Sequence, residues 1–322
     1  MGSVVEDMQI GSGSRLGGYT IIASIGSGGM GEVFRARDER LGREVAVKVI
    51  HTRAASDTEA LALFEREART LAALSHPNIM SIFDFGASGG HTYAVMELLE
   101  GSNLRQRMDG RALPWRTAVA VAMGVCRGLA AAHAKGVVHR DLKPENVFVQ
   151  LDGQVKILDF GLAHLEVEAL EPGPRRLGQD GFVGSKLYMA PEQICRRPVD
   201  SRTDIFAVGM LLYEMLAGSH PFPYLSVSET MAAILREDPR PLGSFGKVLP
   251  APLVQLVHAC LAKDPDRRPP TVLDVMLALG EVSLAPELPR PSATAWIERG
   301  LWFAMGLFAG VAAAGAAWLL LS

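Results

Sequence analysis

The chain has 322 residues, 48% of them hydrophobic, enough to build a sizeable core and to exclude disorder as the default state. A formal net charge of -3 gives no general attraction to nucleic acid, which is not expected as a partner. The three cysteines, Cys126, Cys195 and Cys260, are far apart, so neither a disulfide scaffold nor a Cys-x-x-Cys metal site is expected.

Residues 1–18 read as a flexible N-terminal tail, polar and glycine-rich, with no secretory signal; Glu6 stands where a myristoylation pattern needs Ser or Thr. Residues 19–26, 31–37 and 43–50 read as an antiparallel meander. Between the first two strands lies Gly26-Ser27-Gly28-Gly29-Met30-Gly31, in which Gly26, Gly28 and Gly31 fit Gly-x-Gly-x-x-Gly, with Val33 two residues on. Glycines let backbone amides approach phosphate oxygens without side-chain obstruction. Alone the pattern is weak. An ordinary hairpin turn is the plain reading, and a dinucleotide site is the functional rival. That rival needs a helix after the loop, whereas 33–37 alternate like a strand, which favours a loop folded over nucleotide phosphates.

Val45-Ala46-Val47-Lys48 places a lysine on an otherwise apolar strand, where a buried ammonium needs a partner. Residues 57–74 read as a helix with Ser56 and Glu59 as a capping box, and Phe64, Glu67 and Leu71 share one face. Glu67 is therefore the expected partner of Lys48, which would grip the α- and β-phosphates; the plain alternative is two solvated surface charges. Residues 79–86 and 91–98 read as two further strands. Beyond them the pattern turns helical at 115–135, 203–217, 227–237, 251–262 and 271–281, with short strands at 147–149 and 155–158. A small β-rich lobe (about 19–98) followed by a helical lobe (about 99–281) is an α+β arrangement, and the cleft between lobes is where a ligand is expected.

Residues 139–146 read His-Arg-Asp-Leu-Lys-Pro-Glu-Asn, and Asp159-Phe160-Gly161 follows. Asp141 is the candidate base for a substrate hydroxyl, Asn146 and Asp159 are candidate oxygen ligands for Mg2+, and Lys143 is placed to neutralise a transferred phosphoryl group. His139 reads as a packed structural residue. Together with the glycine loop and Lys48, this order and spacing resemble the protein-kinase signature set.

Residues 19–281 thus resemble a bacterial eukaryotic-like Ser/Thr protein kinase of the membrane-attached type, and a bilobal kinase fold is implied. The resemblance implies ATP with Mg2+, Mn2+ being an alternative, and protein substrates. It implies an ATP site made by Ile25, the 26–31 loop, Val33, Ala46, Lys48 and the hinge Met96-Glu97-Leu98-Leu99, where Glu97 and Leu99 read the adenine edge. Gly184-Ser185 through Ala190-Pro191-Glu192 resembles the substrate loop, with Ser185 bonded to Asp141 and Lys143. Arg268 matches the buried partner of Glu192, and Asp204 matches the aspartate that braces the catalytic loop. Residues 162–184 contain no Ser, Thr or Tyr, although Arg140 matches the residue that clasps a loop phosphate in the family. Activity without loop phosphorylation is therefore expected. The rival classes are an ATP-binding pseudokinase scaffold and a small-molecule kinase; an intact set of Lys48, Asp141, Asn146 and Asp159 argues against the first, and the Ala-Pro-Glu loop against the second.

Pro286, Pro289 and Pro291 mark a linker over 282–299. From Gly300 to Ser322 no residue is charged, and as a helix this stretch spans roughly 33 Å, the thickness of a bilayer core. Trp302 and Trp318 lie near its ends, and Arg290 and Arg299 favour a cytoplasmic N-terminal side. A single-pass membrane helix is expected, with no external sensor domain beyond it. Gly306 and Gly310 form Gly-x-x-x-Gly, which permits a homodimer.

Overall fold

A computed structural model describes residues 10–28, 31–50, 74–160, 187–246 and 248–284. The small lobe is a six-stranded antiparallel sheet in which β1 (Arg15–Leu16), β2 (Tyr19–Gly28), β3 (Gly31–Asp38), β4 (Arg43–Ile50), β5 (Ile82–Ser88) and β6 (His91–Met96) run in the order β1-β2-β3-β4-β6-β5. Its apolar face is built by period-two alternation: Phe34, Ala36, Val45, Val47, Val49 and Val95 are all buried. Lys48 lies on the central strand β4, opposite Val33 on β3 and Ala94 on β6.

Two boundaries differ from expectation. The tail expected over 1–18 is ordered from residue 10, because Gly13 donates to the Ile21 carbonyl at 2.9 Å and Leu16 is buried at the sheet edge. Here Gly17, at φ +57°, lets the chain turn beneath the Tyr93 hydroxyl, where a Cβ would come within 2.3 Å. The strand expected from 79 begins at Ile82, since Asn78 and Met80 pair instead with Ile157 at 2.9 Å each, tying the small lobe to the large one.

The large lobe begins with β7 (Gly101–Asn103) and α1 (Leu104–Met108), followed by α2 (Trp115–His133), β8 (Val147–Gln150) and β9 (Val155–Ile157), with β7-β8-β9 forming a second small sheet. The short elements β7 and α1 escape periodicity, whereas Asn103 supplies a capping box that fixes the start of α1. Helices α3 (Pro191–Ile194), α4 (Ser201–Ala217), α5 (Val227–Arg236), α6 (Ala251–Cys260) and α7 (Val272–Ser283) complete the lobe. Every residue of α4 from Thr203 to Leu216 is buried, so it is the core helix onto which α2, α6 and α7 pack. Gly128 on α2 allows close approach to the strand layer: a Cβ there would meet the Asn78 carbonyl and the Ile157 side chain at 2.8 Å. The α+β bilobal architecture is thus as expected. Among the described residues no helix is long and apolar enough to cross a membrane; the helices expected over 57–74 and 300–322 lie outside the described residues, apart from Leu74.

Under α4, Glu192 and Arg268 form a fully enclosed bidentate pair with both contacts at 2.8 Å, and Thr203 Oγ1 adds a third donor at 2.8 Å. Burial alone would raise the Glu192 carboxyl, but Arg268 and Thr203 outweigh it and hold it below the usual carboxylate range. Breaking one side of such a pair costs about 3–5 kcal/mol. Arg268→Leu is therefore expected to lower the urea midpoint severely. Nearby, Lys263 Nζ is buried without a hydrogen-bond partner among the described residues and sits 4.3 Å from the Phe222 ring centroid. Burial pushes its pKa down to about 8. Between pH 8 and the ordinary lysine value the unfolded chain binds more protons, so stability rises with pH through this window. Lys263→Met is expected to raise the thermal midpoint at pH 7, with the gain shrinking toward pH 10; an equal gain at both pH values would refute the buried-amine account.

Candidate active site

The site grows from a carboxylate at the start of α4. Asp204, 1% exposed, accepts hydrogen bonds from the backbone amides of His139 (2.8 Å) and Arg140 (2.9 Å) and contacts His133 Nε2 at 2.7 Å. Arg140 has φ +66°, a left-handed geometry that a non-glycine residue holds only when its surroundings enforce it. The Asp204 bonds supply that enforcement. His139 is 1% exposed and packs edge-on to Phe160 with ring centroids 4.6 Å apart. Its Nδ1 accepts from the Asp141 amide at 3.2 Å, so the proton lies on Nε2, which donates to the Leu158 carbonyl at 2.9 Å. It is a structural residue, as the sequence suggested.

Leu158 is held from both sides, because its own amide donates to the Asn146 carbonyl at 2.8 Å. Asp159 follows directly with φ +51°. The catalytic-loop residue Asn146 and the carboxylate of Asp159 are thereby fixed relative to one another through one peptide unit. Lys143 Nζ donates to Asp141 Oδ2 at 2.8 Å, while Asn146 Nδ2 donates to the Asp141 carbonyl at 2.8 Å and to Oδ2 at 3.2 Å. From the small lobe, Lys48 Nζ reaches Asp159 Oδ2 at 2.8 Å. Lys48 is 7% exposed, so its ammonium is desolvated and this pairing offsets the cost.

These bonds leave three oxygens without a hydrogen bond among the described residues: Asp141 Oδ1, Asn146 Oδ1 and Asp159 Oδ1. Two hard oxygen donors on Asn146 and Asp159 suit a divalent cation that takes the rest of its shell from phosphate and water. Among the described residues no cluster of three or more His, Cys, Asp or Glu side chains forms a metal cage. Val33 and Ala46 lie on β3 and β4 beside Lys48, and Ile25, Gly26 and Ser27 belong to the β2–β3 hairpin, with Gly28 paired to Gly31. Behind the ion pair lies an apolar recess of about 20 Å3 lined by Ala94, Met96, Ile157 and Phe160. Leu99 makes no hydrogen bond among the described residues, which leaves its amide available at the hinge. The expected partners Glu67 and Ser185, and the loop residues Gly29 and Met30, lie outside the described residues.

Sequence reasoning missed two polar clusters. Glu97, expected to read the adenine edge, also accepts from Lys156 Nζ at 2.7 Å and from the Ser81 amide at 2.6 Å, a partly buried tie between hinge and β9. Arg105 of α1 donates to Glu145 at 2.8 Å, to Glu214 of α4 at 2.5 Å and to the Tyr188 hydroxyl at 2.5 Å, and Tyr188 also donates to Glu214. Burial, and then Glu214, push the Tyr188 hydroxyl far above its ordinary value, so it remains a donor. The signal for Glu97 was a lysine alternating into the apolar strand Val155-Lys156-Ile157. For Arg105 no local pattern existed, since its partners lie 40 to 109 residues away.

Residues 19–277 match the protein kinase domain. The chain is 37% identical over 270 residues to the serine/threonine-protein kinase pkn2 of Myxococcus xanthus, covering 82% of this chain and 32% of that protein. It is 42% identical over 206 residues to the serine/threonine-protein kinase PknL of Mycobacterium tuberculosis, covering 63% of this chain and 50% of that protein. The crystal structure of the Mycobacterium tuberculosis PknI kinase domain superposes with a TM-score of 0.66 at 27% identity, covering 85% of this chain and 99% of that one. The chain therefore spans from 32% to 50% of the length of these two curated relatives. It belongs to the protein kinase family.

Removing the Asp204 carboxylate orphans the buried His139 amide, at about 1–3 kcal/mol, and leaves the partly buried Arg140 amide and His133 ring without their acceptor. Asp204→Ala is expected to lower both the unfolding free energy in urea and the turnover of the folded fraction; unchanged stability would show that the loop holds its shape without it.

Proposed function

We propose that this protein kinase transfers the γ-phosphoryl group of ATP to Ser/Thr hydroxyls of protein substrates in bacterial signalling, with Mg2+ as the metal. The observation that carries the reading is the asymmetry of Asp141: Oδ2 is pinned by Lys143 and Asn146, while Oδ1 has no partner among the described residues. A pinned carboxylate with one unoccupied oxygen is suited to orient a hydroxyl and accept its proton. Lys143, held 2.8 Å from that carboxylate, stands ready to neutralise charge on the transferred group. Lys48 would hold the α- and β-phosphates, and Asn146 and Asp159 would hold the metal, which would supply charge neutralisation for the phosphates. Met96 and the Glu97–Leu99 backbone would border the adenine. The names of the relatives, serine/threonine-protein kinases of Myxococcus and Mycobacterium, support hydroxyl substrates on proteins.

Membrane attachment rests on sequence alone: the uncharged stretch 300–322 supports a single-pass anchor with the catalytic domain on the cytoplasmic side, and the Gly306/Gly310 spacing supports a homodimer within it. The absence of Ser, Thr and Tyr from 162–184 supports activity that needs no loop phosphate.

The deciding assay is transfer of labelled phosphate from Mg-ATP to proteins of an extract. Asp141→Asn is expected to lower the rate by roughly 10²- to 10⁴-fold with little change in ATP affinity. Lys48→Met is expected to weaken both. Nucleotide binding with no transfer by the parent chain would favour the scaffold reading. Phosphatase treatment is expected to leave the activity intact, and carbonate washing to leave the chain in the membrane fraction.

A further inference from the structure

Outside the catalytic cleft, the end of α1, the first turns of α2 and the turn joining β8 to β9 form a groove of about 330 Å3. Its floor is apolar: Val121 and Val149 are 4% and 3% exposed, and Ala120 completes it. Arg107 of α1 and Arg116 of α2 line it, and among the described residues no Asp or Glu does. Arg107 has no ion-pair partner among the described residues. Arg116 is held by an indole ring and a carbonyl, its guanidinium 4.4 Å from the Trp115 ring centroid and its Nη1 donating to the Ser283 carbonyl at 3.1 Å. Asp152, in the β8–β9 turn, accepts from the Gln154 amide at 2.8 Å and does not line the groove. A chain of formal net charge -3 thus carries a locally cationic trough.

Shape and charge together select the class of ligand. At Gly153 a Cβ would meet nothing within 4 Å, so the groove is open to solvent on that side. An open trough cannot wrap a small molecule as a closed pocket does, but it accepts one or two side chains from a peptide running across it. The same turn carries Leu151, 81% exposed, which extends the apolar surface beyond the groove. The floor favours an aliphatic side chain, at about 25 cal/mol per Å2 removed from water. The arginines favour carboxylates on either side of it; at an exposed rim such charges set partner choice and encounter rate more than affinity. A basic segment would be repelled, and a nucleic-acid backbone would leave the apolar floor uncovered.

We propose that this groove docks an acidic segment of a partner protein, with an aliphatic side chain resting on Ala120, Val121 and Val149 and flanking carboxylates facing Arg107 and Arg116. Helix α1 also supplies Arg105, which donates to Glu145 of the catalytic loop at 2.8 Å, so the docking surface and the catalytic loop share one helix. Docking of this kind needs no phosphotransfer.

The test is selection of random displayed peptides of about ten residues on the full chain in nonionic detergent, then fluorescence anisotropy with the synthesised winners. Enriched peptides are expected to carry acidic residues around a Leu, Ile or Val. Arg107→Glu is expected to weaken their binding about tenfold, and a rise in salt from about 0.05 M to 0.5 M to weaken it as well. Ala120→Arg separates docking from general charge attraction: it adds a cation yet fills the floor, so binding is expected to fall about tenfold. Both positions are exposed, so neither change burdens the fold. Tighter binding by Ala120→Arg, unchanged binding by Arg107→Glu, or enrichment of peptides without acidic residues would overturn the proposal. So would three other outcomes. Binding of phosphatidylglycerol vesicles with no peptide enriched would make the groove a lipid site. Self-association lost in Arg107→Glu, with no peptide enriched, would make it an interface between copies. Peptide binding that appears only when residues 285–322 are removed would give it to the chain's own continuation.

Discussion

The buried carboxylate of Asp204 is the constraint on which the catalytic geometry rests. A 1%-exposed carboxylate is tolerable only with its lone pairs satisfied, and here the satisfying groups are two consecutive amides of the catalytic loop and one histidine. The need runs both ways: the acid requires the loop donors, and the loop requires the acid to hold Arg140 in a left-handed conformation. Because α4 is buried along its length, the acid cannot drift, and the loop inherits the rigidity of the core. His139 then relays that rigidity through Leu158 to Asp159. One polar anchor on an apolar helix thus positions the candidate base and a metal ligand together.

The lobes differ in how they are joined and in how they are filled. Each has its own apolar cluster, although that of the large lobe also takes in Leu74 and Ile79, and polar ties cross the cleft as well: Lys48 with Asp159, Lys156 with Glu97, and the Asn78 side chain with the Val155 carbonyl at 2.8 Å. Apolar packing resists sliding, whereas a few directional bonds can open and re-form.

Much of this was legible in the sequence, for identifiable reasons. Asp141, Asn146, Asp159 and Lys48 are chemically committed residues at fixed spacing, and the structure brings all four together. Glu192 with Arg268 and Asp204 with the catalytic loop were readable through family resemblance alone; no periodicity reveals a partner 76 residues away. The start of β5 was misplaced because residues 79–81 alternate like a strand, but the Asn78 carbonyl and the Met80 amide spend their bonds on Ile157 of the other lobe. The two-residue β1 was read as tail because a glycine-rich approach masks a strand that exists only through its neighbour. Arg105 was invisible because its role is defined entirely by groups distant in the chain.

That short first strand carries a practical lesson. Residues 10–16 cover what would otherwise be the bare rim of the β2 ribbon, with the Gly13 amide and the Ser14 carbonyl occupying the polar groups of Ile21. A protein trimmed to begin at Tyr19, where the family match starts, would leave that rim open to the rims of other molecules. Poor solubility in such a preparation would then reflect where the cut was made rather than any weakness of the catalytic domain.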